Sequence, residues 1–135
     1  MNVFEITIQP REGDAWPVVA RHQPDADALE SRSRGRLEFD PSALVALLPS
    51  DREYGRLLGQ ALFRGEIRDA FVRAVGLAVG ENEPLRVVLI VDAGDLRDLH
   101  WEQLHAPLDR TWDYLLLNQG TPFSLYPSSH VSRPF

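Results

Sequence analysis

The chain has 135 residues, of which 44% are apolar and 25% charged, a composition typical of one soluble domain with a hydrophobic core. Its formal net charge is −6, so the domain as a whole is a poor partner for phosphate backbones or anionic lipid. It contains no cysteine, which excludes disulfides, thiolate metal sites and a cysteine nucleophile within these residues.

The N-terminus lacks the pattern of a targeting segment. It has no basic start, and Glu5 interrupts its apolar run, so we expect no signal peptide. No apolar stretch approaches the ~20 residues that a membrane helix needs. Together with the absence of cysteine, these observations predict a cytoplasmic protein without a membrane partner.

Residues 1–40 carry three predicted strands. Residues 3–8 mix alternation with β-branched side chains, and residues 16–21 form the returning strand of a hairpin. Residues 23–34 are polar and rich in chain breakers, which predicts a loop. Residues 36–39 alternate again and predict a short third strand.

Residues 41–80 are predicted to be helical. A short amphipathic helix follows a helix-start signal and stops at Pro49. Residues 52–63 repeat apolar side chains at helical spacing, Gly65 interrupts the pattern, and the same period then continues to Gly80, a predicted C-terminal cap. This segment therefore holds two to three helices.

Residues 84–127 contain the most apolar run of the chain. Residues 85–91 are rich in β-branched side chains and predict a buried strand at the centre of a sheet. Residues 106–111 predict a polar loop, and two final strands are expected near 112–117 and 122–127. We expect the later strands to pair with the central one.

The order of these elements predicts a mixed α/β fold. An N-terminal β-hairpin and short strand precede two to three helices, which pack on one face of a mixed sheet. We expect residues 1–135 to form a single domain, in which 1–40, 41–80 and 84–127 are successive segments.

Three segments match, in order, a known family pattern: LLGQALFRGEIRDAFVRAV, LRVVLIVDAGDLRDLHWEQLHAP and YLLLNQGTPFSLYPSS. They resemble the N-terminal part of CHAT domains, the caspase- and separase-like domains of bacterial proteins. In that family a helix with a Leu-Gly pair precedes a buried strand and a turn with a Leu-Pro-Trp-Glu pattern. The matching positions are Leu58, Gly59, Leu62, Phe63, Gly65, Glu66, Ile67, Arg68, Leu85, Arg86, Leu96, Leu99, Trp101, Glu102 and Leu104. His100 stands where the family usually has proline.

The resemblance implies a structural rather than a catalytic part. The catalytic histidine of the family lies in a later His-Gly segment and its cysteine after a later strand, and neither is expected within these residues. We therefore assign no catalytic, cofactor-binding or metal-binding residue. The family-signature positions with expected structural roles are Leu99, Trp101, Glu102, Leu104, Gly65 and Arg68. We expect Trp101 to fill the core and Glu102 to be a buried, paired carboxylate.

The signature overlaps an acidic segment that superficially resembles a zinc motif. His100, Glu102 and His105 give H-x-E-x-x-H, but metalloproteases need histidines four apart with glutamate next to the first. On a helix, a separation of five places the two rings about 140° apart. We interpret the segment as an acidic rim without metal, and not as a hydrolase site. The other rim residues are Asp92, Asp95, Asp98 and Asp109.

Two further polar segments receive structural interpretations. Arg32, Arg34 and Arg36 alternate, so an anion or RNA contact is an alternative, but acidic neighbours favour a solvated loop and no nucleic-acid partner. Residues 128–130, Ser-Ser-His, do not make a triad, because triad members meet in space from distant positions.

Two functions are compatible with this pattern. The preferred one is a non-catalytic N-terminal scaffolding subdomain of a CHAT-type caspase-like protease in a bacterial defence system, with the catalytic remainder as its partner. The alternative is a free-standing interaction module (an adaptor, a regulator or half of a split protease) that binds a partner chain through strand 123–126. Either function predicts no hydrolase activity from this chain alone and no cofactor. An exposed strand edge would also favour self-association.

Overall fold

The computed structural model describes residues 2–25, 29–108 and 111–126. Within them, two short 3₁₀ turns, Gly94–Leu96 and Trp101–Gln103, lie between the fourth and fifth strands. The strands and helices in chain order are β1 Val3–Ile8, β2 Trp16–Gln23, β3 Ser31–Leu37, α1 Pro41–Ala46, α2 Asp51–Leu62, α3 Gly65–Gly80, β4 Arg86–Val91, β5 His105–Leu108, β6 Thr111–Tyr114 and β7 Phe123–Tyr126.

The described strands form two sheets. The larger has five strands in the order β3-β2-β1-β4-β7, and the smaller pairs β5 with β6. β2 is antiparallel to both β1 and β3, whereas β4 is parallel to both β1 and β7. The predicted mixed α/β fold is thus confirmed, with an antiparallel half at one side of the large sheet and a parallel half at the other.

The apolar run predicted as the central strand is an internal strand of the large sheet. β4 lies between β1 and β7, and the middle position belongs to β1. Val87, Leu89 and Val91 join the hydrophobic core, and Val88 and Ile90 on the opposite face are also buried. Burial on both faces accounts for the continuous apolar sequence of this strand.

The third strand differs from its prediction. Residues 31–37 form β3, so the strand begins within the predicted loop at 23–34, five residues before the predicted strand at 36–39, and ends two residues before it. β3 pairs along its whole length with β2. Among its side chains only Leu37 is buried, so backbone pairing, rather than an apolar stripe, holds this strand in place.

The segment after the buried strand also differs from its prediction. Residues 105–108 form β5, where a polar loop was expected, and β5 pairs with β6. The predicted strand at 112–117 is β6, which ends at Tyr114 and lies outside the large sheet. Pro107 is tolerated because each strand of a two-stranded sheet is an edge strand.

Local capping explains the helix boundaries. The Asp40 side chain accepts a hydrogen bond from the Ser42 N–H at 3.0 Å, and the Ser50 hydroxyl caps α2. Gly80 is the last residue of α3 rather than its cap, so that detail of the prediction is wrong. The chain leaves α3 through Asn82, whose φ of 55° lies in the left-handed region that asparagine tolerates.

One hydrophobic core joins the helices to one face of the large sheet. α3 packs against β2 and β3, and α2 packs against β5. The sheet and helix side chains in this core include Phe4, Ile6, Ile8, Trp16, Val18, Leu37, Tyr54, Leu58, Ile67, Phe71, Leu89 and Trp101. The helices therefore cover one face of the β1–β3 region and leave the polar positions of those strands on the other.

Candidate functional site

The turn between β4 and β5, residues 92–104, carries most of the family-signature positions and is called the signature turn here. Trp101 is 1% exposed, and its Nε1 donates a hydrogen bond to the Leu96 carbonyl oxygen at 2.8 Å. Leu96 and Leu104 are buried, and Leu99 packs against the core. The indole thus joins two parts of the turn, Leu96 and Trp101, and lies in the hydrophobic core.

Helix α2 approaches the end of the signature turn through Gly55 and the start of β5 through Gly59. A Cβ atom on Gly55 would lie 1.9 Å from the Gln103 carbonyl oxygen, and one on Gly59 would lie 2.1 Å from the His105 carbonyl oxygen. Both obstructing atoms are backbone atoms, so a larger side chain could not be accommodated by a rotamer change. The Leu-Gly pair of the family pattern therefore marks a contact between backbones.

The three remaining signature positions lie at the surface. Gly65 opens α3 with a φ of 52°, a left-handed conformation that favours glycine. Arg68 is exposed on the first turns of α3. Glu102 is also exposed, so the expectation of a buried, paired carboxylate is wrong.

A hydrogen bond that the sequence did not reveal ties the hairpin to the signature turn. Trp16 Nε1 lies 3.2 Å from each carboxylate oxygen of Asp95, and the Trp16 ring stacks on Phe39. Asp95 was predicted only as part of the acidic rim. Its contact with Trp16 gives it a structural role, because it satisfies a donor on a buried side chain.

The acidic rim does not converge on a point. Across residues 2–25, 29–108 and 111–126, no group of three or more His, Cys, Asp or Glu side chains could hold a metal ion. His100 is exposed while His105 is fully buried, so the two histidines of the motif-like pattern occupy different environments. Asp109 and residues 128–130 lie outside the described residues.

His105 sits in the layer between α2 and β6. Its Nδ1 donates to the Gln103 carbonyl oxygen at 3.1 Å, and its ring centroid lies 4.3 Å from that of Tyr114. Its Nε2 has no hydrogen-bond partner within the described residues. Burial lowers the pKa of His105, and the hydrogen bond to Gln103 opposes this effect.

Acidification should therefore destabilise the fold. The folded state keeps His105 neutral below the ordinary histidine pKa of 6.5, whereas the unfolded chain takes up a proton. His22, whose pKa is also lowered by burial, adds to the effect. Urea unfolding should give a lower midpoint at about pH 5.5 than at about pH 7.5. The H105Q variant should show a smaller pH dependence of the urea midpoint than the parent chain.

β7 forms one edge of the large sheet. The Val87 N–H donates to the Pro122 carbonyl at 2.8 Å, and β7 then runs parallel to β4. Alternate residues of a parallel strand direct their backbone groups to opposite sides, so Phe123 and Leu125 present N–H and C=O groups outward. Among the described residues, no strand pairs with this outer side.

An apolar groove of about 640 Å³ separates α3 from the β5–β6 sheet. Arg68 stands beside its apolar lining, which includes Val72, Val75, Val79 and Trp112. Val79 is 74% exposed. The groove places a signature arginine next to exposed hydrophobic surface.

Comparison with protein-family models, curated proteins and solved structures gives no match for this chain. The similarity to CHAT domains accordingly stays a prediction from the sequence pattern. Within the portion of the chain that the structure describes, none of the helices combines the length and hydrophobicity needed to cross a membrane.

Proposed function

We propose that the chain is the N-terminal scaffolding part of a CHAT-type, caspase-like protease and takes no part in the chemistry itself. Its role is to supply a preformed half of the sheet on which the part with the histidine and cysteine assembles. The observation that carries the proposal is the parallel edge of β7, where the backbone groups of Phe123 and Leu125 point outward.

The open edge supports a role in assembly for a physical reason. Unpaired N–H and C=O groups along a strand favour pairing with another strand. Parallel strands are typically found inside a sheet with both faces covered, and β4 already has that environment. A further strand beside β7 would place β7 in the same position and satisfy its outward groups.

The signature turn supports a scaffolding role as well. Trp101 is buried in the core and donates a hydrogen bond to the Leu96 carbonyl oxygen, and Asp95 accepts a hydrogen bond from Trp16. The glycines of α2 allow close contact of this helix with Gln103 in the turn and with His105 at the start of β5. These contacts fix the end of β4 relative to the helices, which is what a rigid platform for a catalytic partner requires.

The alternative function, a free-standing interaction module, uses the same edge with a different partner. A strand from an adaptor or regulator would pair with β7 by the same main-chain hydrogen bonds. The two functions differ in whether the partner carries the histidine and cysteine. The DNA following the codon for Phe135, and the neighbouring genes, would identify a segment with a His-Gly pair and a later cysteine.

The segment that carries the histidine and cysteine, produced together with this chain, should give a peptidase that iodoacetamide inactivates. The L125P variant should lower the activity about tenfold or more, because strand addition relies on main-chain hydrogen bonds. Its proline removes an outward N–H while leaving the groups that face β4 in place. The L125A variant, which keeps the N–H, should retain activity. A histidine- and cysteine-containing segment that is fully active without this chain would contradict the scaffolding role. A partner that pairs with β7 but lacks the histidine and cysteine would support the interaction module instead.

A further inference from the structure

The large sheet carries a row of arginines on the face that the helices leave open. Side chains of a strand alternate between its two faces, and Leu37 lies in the core. Arg32, Arg34 and Arg36 therefore share the opposite face of β3. The expectation of a loop is wrong here, because β3 holds these side chains at a regular spacing of about 6.5–7 Å, whereas their exposure to solvent is as expected.

A cavity of about 280 Å³ lies on this face, across β1, β2 and β3. Its size is at or below the ~300–1,000 Å³ that sites for drug-sized ligands occupy, so it suits one polar side chain better than a cofactor. The lining residues are Thr7, Gln9, Val19, Arg21, Arg32 and Arg34.

The charges around the cavity are not balanced. Arg21 forms ion pairs with Glu5 and Glu30, and Arg32 pairs with Glu30 at 3.0 Å. Among the described residues, the three arginines lining the cavity against these two glutamates leave one excess positive charge. In the part of the chain that the structure describes, the Arg34 guanidinium forms no ion pair or hydrogen bond, so it is the group best placed to receive an anion.

We propose that this cavity binds a carboxylate side chain of an acidic, extended segment from a partner protein. Arg34 is the principal ligand, and Arg21 and Arg32 flank it. An extended segment repeats its side chains at the same interval as β3, so alternate glutamates match the arginine spacing. This site is distinct from the edge of β7 and stands independently of the proposed function.

An acidic peptide fits the face better than a nucleic acid does. Binding of single-stranded nucleic acid relies on aromatic side chains for base stacking. The positions of β1, β2 and β3 on this face carry no aromatic residue; they are Val3, Glu5, Thr7, Pro17, Val19, Arg21, Gln23, Arg32, Arg34 and Arg36.

Fluorescence anisotropy of labelled ligands tests this proposal. At low ionic strength the chain should bind a peptide of alternating glutamate and threonine more tightly than a peptide of the same composition with consecutive glutamates. The R34Q variant should weaken binding about tenfold, because it removes a charge-assisted hydrogen bond. The R73Q variant, with the same charge change on exposed α3, should bind like the parent chain.

Three outcomes would overturn the proposal. Equal loss in R34Q and R73Q would indicate a general charge effect. Tighter binding of an oligothymidylate would indicate a nucleic-acid surface instead. If a parent chain with a normal thermal unfolding transition bound no peptide, the proposed site would be refuted. The same transition, measured for R34Q, ensures that loss of binding does not come from loss of the fold.

Discussion

Replacing Gly59 by alanine should destabilise the fold by about 3 kcal/mol or more. The added Cβ would lie 2.1 Å from the His105 carbonyl oxygen and 2.8 Å from its carbonyl carbon. Relief requires α2 to move away from β5, which loosens the packing of both. The gain in helix propensity, about 1 kcal/mol, is too small to offset this cost. Urea unfolding would measure the lower free energy of unfolding, with the dependence of that free energy on urea concentration unchanged.

Gly76 provides the matched control for this substitution. It lies within α3, and a Cβ there would meet no atom within 4 Å. G76A should therefore stabilise the chain by roughly 0.5–1 kcal/mol, the ordinary benefit of alanine over glycine in a helix. Opposite signs for the two variants would establish the close approach of α2. A G59A chain as stable as the parent would show that the approach is not tight.

Replacing Trp101 by alanine should cost about 3–5 kcal/mol, the range for truncation of a large buried aromatic side chain. The indole is 1% exposed and its Nε1 satisfies the Leu96 carbonyl oxygen. Because native domains are stable by only about 5–15 kcal/mol, the W101A chain should be close to unfolding at room temperature. Calorimetry or urea unfolding would measure the change.

Two further substitutions separate burial from hydrogen bonding at this site. W101F keeps an aromatic ring but removes the Nε1 donor, so the Leu96 carbonyl oxygen retains only the hydrogen bond from the Leu99 N–H at 3.3 Å. Its loss should therefore be smaller than that of W101A, about 1–3 kcal/mol. W112A removes a tryptophan that is only partly buried beside the groove, and it should cost less than W101A. A W101A chain with parental stability would refute an anchoring role for the signature turn.

The sequence pattern revealed the strands that bury apolar side chains. β1 and β2 alternate clearly, and β4 is apolar throughout because it is buried on both faces. Most of β3 was predicted as a loop, with a strand only at 36–39, and β5 was missed, because their sequences lack a continuous apolar pattern. β3 buries only Leu37, and β5 contains Pro107. Their backbones are held by pairing with β2 and β6, a tertiary effect that local propensity does not report.

In the signature turn too, burial of an apolar side chain could be predicted from local sequence, whereas the contacts between distant residues could not. The apolar character of Trp101 was sufficient to predict that it lies in the core. The bond from Trp16 to Asp95 joins residues 79 positions apart, so no local pattern could indicate it. Glu102 was misjudged because a match to a family pattern does not report exposure. The tight contact at Gly59 depends on the path of β5, which was itself missed.

Amide hydrogen exchange at β7 tests the scaffolding account most directly. The measurement compares this chain alone with its complex with the segment that carries the histidine and cysteine. The outward amide of Leu125 should exchange rapidly in the free chain and become protected in the complex, while amides bonded to β4 change less. A complex in which the Leu125 amide exchanges as fast as in the free chain would contradict the account, because the partner would then bind elsewhere.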